Sequence, residues 1–409
     1  MRPESASPAA SPGGPVDIGT LWEAAVRDRD RSPFLTFITR PGDSNTWSYR
    51  QFGQLVRLTA DRLRAAGAAP GRTVHLDLHN SPAFIMCWLA CASLGAVAVS
   101  CEPEAEVPEL VDQLDRTRPV LGVVGLDRRW TYRNAVSRST VPELTVIELT
   151  EDEPDTLAGS PLLGGATRST ATEGTGAGAG SREMPPDALS VFFTAPAHAA
   201  LPTEAPPPNS PPASPPPARS DGRILTHAAC AGIAREHATT HGLDPNSRWF
   251  ITGDLHDPAT LAAELTAVIT AGAAAILAAR FSPDTWIDQA ERFGATHTRL
   301  SAGRLSALVD ATARGAAPAR GAGPSRRDDD AELGGAGAGA AGLAPDAPRV
   351  STLESVIVGP GADDAALDRF AELTGVRPVV ASGTVIAAAD LFPLSPSSEG
   401  IPARAGTPV

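Results

Sequence analysis

Eight of the twelve positions from 206 to 217 are proline, and no helix or sheet interior can run through such a block. Proline offers no backbone N–H and its ring fixes φ, so the block reads as a semi-rigid polyproline II spacer inside a Pro-rich insertion at 196–222. Three further stretches, 1–17, 151–186 and 311–349, are rich in Gly, Pro, Ser and Ala and lack the apolar content that burial needs. Roughly 290 residues remain for packed structure, enough for two domains of ordinary size. The predicted organisation is a disordered arm at 1–17, a first α/β subdomain at 18–150 and a low-complexity linker at 151–186. A second α/β subdomain follows at 187–310 and carries the insertion; after a linker at 311–349 it ends at 350–409.

All 34 basic residues are arginine, because the chain contains no lysine. Arginine stays protonated and presents a planar fork, so lysine Schiff bases, a phosphate-loop lysine and a lysine electrophile are excluded within these residues. The net charge of −13 comes with no basic stripe, which argues against nucleic acid and anionic lipid. Cys87, Cys91, Cys101 and Cys230 share no repeated spacing, so they predict reduced thiols and a cytoplasmic protein rather than a disulfide framework or a cysteine-rich zinc site. The most apolar stretch, Ala83 to Val99, is divided by Gly95 into a helix and a strand, each too short to cross a bilayer. No membrane association is expected.

The pattern of elements is alternating. Ser48 is placed to cap a helix, with Gln51 closing a capping box and Trp47 stapling onto Phe52, and Gly67 ends it. Thr73 to Leu78 predicts a strand, Ser81-Pro82 to Gly95 a helix, Ala96 to Ser100 a strand, Glu109 to Asp115 a helix and Val120 to Val124 a strand. After the first linker, strands are predicted at 189–194, 249–252, 273–279, 296–300 and 353–358. Helices fall between them, one of them capped by Thr226. Such alternation predicts an α/β fold with two packed units of mainly parallel sheet.

Five landmarks in order carry a family resemblance: Thr46-Trp47-Ser48-Tyr49, Leu63-Arg64-Ala65-Ala66-Gly67, Pro70-Gly71-Arg72-Thr73-Val74, Asn80-Ser81-Pro82-Ala83-Phe84 and Leu94-Gly95-Ala96-Val97-Ala98-Val99. In these the chain resembles the adenylate-forming superfamily of acyl-CoA ligases, luciferases and peptide-synthetase adenylation domains. Ile224-Leu225-Thr226-His227 is similar to the end of that family's phosphate-loop motif. Leu255-His256 is similar to its acyl-pocket aromatic-His pair, and Glu291-Arg292-Phe293-Gly294-Ala295-Thr296 to the segment before its next strand. The resemblance implies the fold of the large N-terminal domain of such enzymes, a phosphate-loop region at Thr194, Thr226 and His227, and an acyl pocket near Trp249, His256, Gly361, Ser382 and Gly383.

The family's catalytic motifs are altered. Where it has a Ser/Thr/Gly-rich loop ending in Pro-Lys-Gly, this chain has Thr194-Ala195-Pro196, the proline spacer and Asp221-Gly222-Arg223; prolines have no N–H with which to cradle a phosphate. Where it has Tyr-Gly-x-Thr-Glu, this chain has Ser382-Gly383-Thr384-Val385-Ile386, without the carboxylate that would hold magnesium. Gly406-Thr407-Pro408-Val409 resembles the turn before the family's ribose-binding aspartate, and no counterpart of its lysine-bearing C-terminal domain follows in these residues. The expectation is a degenerate homologue with no ATP or Mg cofactor, acting as an accessory or acyl-binding scaffold whose partner is an acyl-carrier protein or a complete acyl ligase. The alternative is an active ATP- and Mg-dependent acyl-activating ligase completed by another chain.

Two other groupings suggest metal. His75, Asp77 and His79 alternate along one strand and so share a face, which could hold zinc or iron in a metal-dependent enzyme. The opposing reading is a polar strand margin in which Asp77 satisfies the histidines. His227, Cys230, His237 and His241 fall on one helical stripe, where the competing reading has Cys230 packed as a small apolar residue and the histidines near the helix ends.

Overall fold

A computed structural model describes residues 16–40, 43–141, 144–151, 184–194, 221–315, 350–381, 386 and 390–394. Nearly all of the arm, the linkers and the insertion named above lie outside these residues, as do Ser382 and Gly383.

Helix α1 (Ile18–Asp28) opens on Asp17, whose carboxylate accepts the Thr20 N–H at 2.9 Å. Strands β1 (Pro33–Arg40) and β2 (Asp43–Ser48) pair antiparallel. Helix α2 (Tyr49–Ala65) begins at the predicted Ser48 cap, with the Ser48–Gln51 capping box closed in both directions and the Trp47 ring 6.2 Å from Phe52. Strand β3 (Thr73–Asp77) leads to α3 (Pro82–Leu94), capped by Ser81 and stopped by Gly95 at φ 65°. All of α3 but Ser93 is buried, as a helix apolar on every face requires.

Alternation continues through β4 (Val97–Ser100), α4 (Val107–Thr117), β5 (Leu121–Gly125), α5 (Arg129–Arg138) and β6 (Thr145–Leu149). Then come β7 (Ala188–Thr194), β8 (Asp221–Thr226), α6 (His227–Thr240) and β9 (Arg248–Ile251). A π-helical turn, Thr260–Leu265, runs into α7 (Thr266–Ala271), followed by β10 (Ala274–Ala278), α8 (Trp286–Phe293), β11 (His297–Leu300) and α9 (Ala302–Gly315). The described chain closes with β12 (Ser355–Val358), α10 (Asp364–Thr374), β13 (Val379–Val380) and β14 (Leu391–Pro393).

These elements make mixed, mostly parallel sheets with helices, distributed over two compact units. The first comprises the described residues through Ser247, Gly253–Ala279 and the described residues after 385. Its seven-stranded sheet runs β14-β8-β7-β4-β3-β5-β6, parallel from β7 to β6 and antiparallel at β7–β8 and β8–β14. In the same unit β1 pairs parallel with β10, and Trp22, Phe34, Tyr49 and Phe52 cluster, with the Tyr49 hydroxyl donating to the Ala273 carbonyl at 2.8 Å. The second unit, Arg248–Thr252 with Arg280 to 384, carries the parallel strands β9, β11, β12 and β13. There Trp286 stacks on Phe250 at 5.6 Å.

Two boundaries differ from the sequence expectation. Residues 187–247 belong with the first unit rather than opening a second subdomain, because β7 pairs directly with β4, Val191 opposite Val99. The Pro-rich insertion ends before Asp221, not at Gly222, because Asp221 and Gly222 lie in β8 opposite Thr194 and Phe193. No helix among the described residues is long and apolar enough to cross a membrane.

Candidate functional site

Strands β3, β5 and β6 lie side by side and parallel, with Asp77 opposite Val124 and Gly125 opposite Leu149. Their carboxyl ends are therefore level, and two residues past each end stand His79, Asp127 and Glu151. The margin beyond the carboxyl ends of parallel strands is where α/β sheets collect ligand-binding side chains. His79 Nδ1 lies 3.1 Å from Glu151 Oε1 and 3.7 Å from Asp127 Oδ2. The other Glu151 oxygen accepts the His79 backbone N–H at 2.7 Å and the Ser81 hydroxyl at 3.1 Å, so its orientation is fixed from two sides. A Cβ at Gly125 would fall on Glu151 Oε1 and stand 2.8 Å from Asp127 Oδ1. Glycine keeps that space open for the carboxylates.

Asp77 is fully buried behind this group. Arg128 Nε donates to its Oδ1 at 3.3 Å, while Oδ2 has no hydrogen-bond partner. Burial pushes the Asp77 carboxyl up to about 7 against the pull of Arg128, and the nearby Glu151 charge adds to the rise. His79 is held above its ordinary value first by its hydrogen bond to Glu151, with burial opposing.

His75, Asp77 and His79 do not converge. His75 is fully buried, 3.2 Å from Gln113 Oε1 and beside the Tyr132 ring, and burial lowers it to about 4. Asp77 goes to Arg128, and only His79 reaches outward, because strand β3 ends at Asp77 and the chain turns there. Among the described residues, the group whose ligand atoms all lie within 4.8 Å of one another is His79, Asp127 and Glu151. Neither Asp127 nor Glu151 was found from sequence. The available signal was the alternation in Thr145-Val146-Ile147-Glu148-Leu149, which marks β6 and hence the neighbour of β5.

The helical stripe likewise separates into local contacts. His227 Nδ1 accepts the Ile18 N–H at 3.1 Å, Cys230 Sγ lies 3.5 Å from the Thr266 hydroxyl, and the His237 and His241 rings stand 4.4 Å apart. All four cysteines are free and buried, which pushes Cys87 and Cys230 up to about 12 and leaves no reactive thiolate.

The phosphate-loop residues are occupied structurally. Thr226 caps α6, its hydroxyl accepting the Ala229 N–H at 3.2 Å, and His227 receives the start of α1. Strand β8 is paired on both edges, Leu225 opposite Ser190 on one side and Leu391 on the other. Its backbone N–H groups face neighbouring strands. Thr194 ends β7.

Of the residues assigned to an acyl pocket, Trp249, His256 and Gly361 are among those described. Trp249 is fully buried in the second unit, its ring stacked 5.9 Å from His297, and Gly361 is exposed at φ 87° after β12. His256 belongs to the first unit, half-buried in a turn that Asn80 secures.

An AMP-binding enzyme family model matches residues 21–210. Crotonobetaine/carnitine–CoA ligases of Salmonella arizonae and Shigella flexneri are 28% and 38% identical over 86 residues, 21% of this chain and 17% of theirs. The matched stretch is thus less than a fifth of those relatives. Among solved structures, the N-terminal domain of FACL13 from Mycobacterium tuberculosis superposes with TM-score 0.61 at 16% identity, covering 89% of this chain and 74% of that one. The anthranilate CoA ligase AuaEII in complex with anthranoyl-AMP gives 0.62 at 14%, covering 89% and 59%. The architecture is that of the N-terminal domain of acyl-CoA ligases. The chain thus resembles the adenylate-forming superfamily, with an AMP-binding match over 190 of its 409 residues and the fold of an acyl-CoA ligase N-terminal domain.

Proposed function

We propose that this AMP-binding domain does not adenylate and serves as an accessory scaffold that binds an acyl group or a partner of acyl metabolism. The observation that carries this reading is the commitment of β8 and Thr226: one has neighbours on both edges and the other caps a helix. Phosphate binding at such a loop depends on free N–H groups and hydroxyls. The absence of lysine from all 409 residues removes the family's phosphate-loop cation in the same place. On this reading ATP and Mg are not cofactors, the protein works in the cytoplasm, and the partner is an acyl-carrier protein or a complete acyl ligase. A net charge of −13 favours encounter with a basic surface on that partner at low salt.

ATP–pyrophosphate exchange with Mg²⁺ over a panel of carboxylic acids tests it, with carnitine, crotonobetaine and anthranilate included because they figure in the relatives' names. No acid-dependent exchange and no ATP-induced rise in Tm is the expected result. Robust exchange with any acid would overturn it in favour of ATP-dependent acyl activation.

A further inference from the structure

We propose that His79 Nδ1, Asp127 and Glu151 form a binding site for one divalent transition-metal ion of the Zn²⁺ class, open to water on the Asp127 side. An ion about 2.1 Å from each of two ligands in tetrahedral array holds them about 3.4 Å apart. The two distances from His79 Nδ1, 3.1 Å to Glu151 and 3.7 Å to Asp127, bracket that edge. One imidazole and two carboxylates suit Zn²⁺, Co²⁺ or Mn²⁺ better than Mg²⁺, which prefers oxygen alone, and two carboxylates with a neutral histidine balance a double positive charge.

The surroundings support the same assignment independently. The Asp77 side chain is fully buried, with Oδ1 held by Arg128 and Oδ2 unpartnered. With Arg128 paired to Asp77, a bound dication offsets the two carboxylates that stand beside His79. Gly125 leaves the space the carboxylates need. Outward-held Glu151 Oε1 is fixed through its partner oxygen, the usual way a metal-ligating carboxylate is oriented. Side-chain exposure of 24% at His79, 10% at Glu151 and 62% at Asp127 gives the ion a route in and leaves one side for water.

The full chain, stripped with a chelator and returned to chelator-free buffer, is titrated with Zn²⁺ by calorimetry, and with Co²⁺ by visible absorption. One equivalent of Zn²⁺ and a Co²⁺ spectrum of four- or five-coordinate intensity are expected. Asp127→Ala should weaken Zn²⁺ binding at least tenfold while leaving circular dichroism and Tm unchanged, since Asp127 is exposed. Glu151→Gln should weaken it as well, with some loss of Tm because Glu151 also holds Ser81 and the His79 N–H. No saturable one-equivalent step, or a step that Asp127→Ala leaves intact, would overturn the assignment.

Discussion

The Asn80 side chain holds the backbone around Leu255 at two points: Oδ1 accepts the Leu255 N–H at 2.8 Å and Nδ2 donates to the Gly253 carbonyl at 2.9 Å. Asn80 stands in the short connection between β3 and α3, and Gly253 and Leu255 precede the π-helical turn. One amide thus fastens the turn bearing His256 to the margin where His79 stands.

Asn80→Ala leaves a part-buried N–H and a carbonyl without partners, at a cost of about 2 kcal/mol. Asn80→Asp keeps the acceptor but sets a carboxylate oxygen against the Gly253 carbonyl, so it should not recover the loss. Urea unfolding reads the cost, and amide hydrogen exchange at Leu255 should speed up in both variants. Unchanged exchange at Leu255 would show that the turn is held by other contacts.

Gly125→Ala displaces the Glu151 carboxylate. The added Cβ meets its Oε1, so the carboxylate must leave the His79 N–H and Ser81 hydroxyl that hold it, at a cost of about 1–3 kcal/mol. Its displacement removes the main contact that raises His79. The His79 titration, followed by NMR, should therefore shift downward. Sign follows from linkage: a raised histidine contributes stability that is full below its unfolded pKa and fades as pH rises through the folded value, so this contribution shrinks in the variant. A His79 titration identical to wild type would refute the account.

Local signals were legible in the sequence wherever one residue type did one job. Ser48, Ser81 and Thr226 cap the helices they were expected to cap, and Gly95 sits in the left-handed conformation that ends α3. What sequence alone did not reveal was lateral. Strand order brings β6 beside β5 and β5 beside β3, and only that order carries Asp127 and Glu151 to His79 from residues 48 and 72 positions away. The alternation of His75, Asp77 and His79 was real, but a strand whose residues are all buried gives each polar side chain a different neighbour. The β1–β2 pair and β8 were also missed: β2 is polar with none of its residues buried, and β8 begins immediately after the proline-rich run.

Asp77 and His75 act in opposite senses on stability as pH changes. His75 is lowered to about 4, so its contribution is present above about 6.5 and is lost as pH falls through 4. Asp77 is raised from 3.8 to about 7, so its contribution is present below 3.8 and is lost as pH rises through 7. Asp77→Asn deletes the second effect alone. The stability of the variant relative to wild type should climb between about pH 4 and pH 7, measured as urea midpoints across that range. A difference that stays flat with pH would mean that Asp77 ionises normally in the folded chain.

The antiparallel pair β7–β8 brings Thr194 directly opposite Asp221, so the 26 residues from 195 to 220 join two chain positions already adjacent in the ladder. An Asn-Gly turn matches the twist of antiparallel strands and is enough to connect such a pair. Closing a loop costs about 0.6 kcal/mol less for each halving of its length, so replacing 195–220 with Asn-Gly should leave Tm unchanged or raise it slightly. Retained near-ultraviolet circular dichroism would show that the packing of Trp88, whose indole N–H donates to Ser190 on β7 at 2.8 Å, survives the change. If Tm instead falls by several degrees, residues 195–220 contribute to the folded body. Restoring Gly/Ser of equal length then separates a need for length from a need for proline, because only the latter remains uncorrected by a flexible segment.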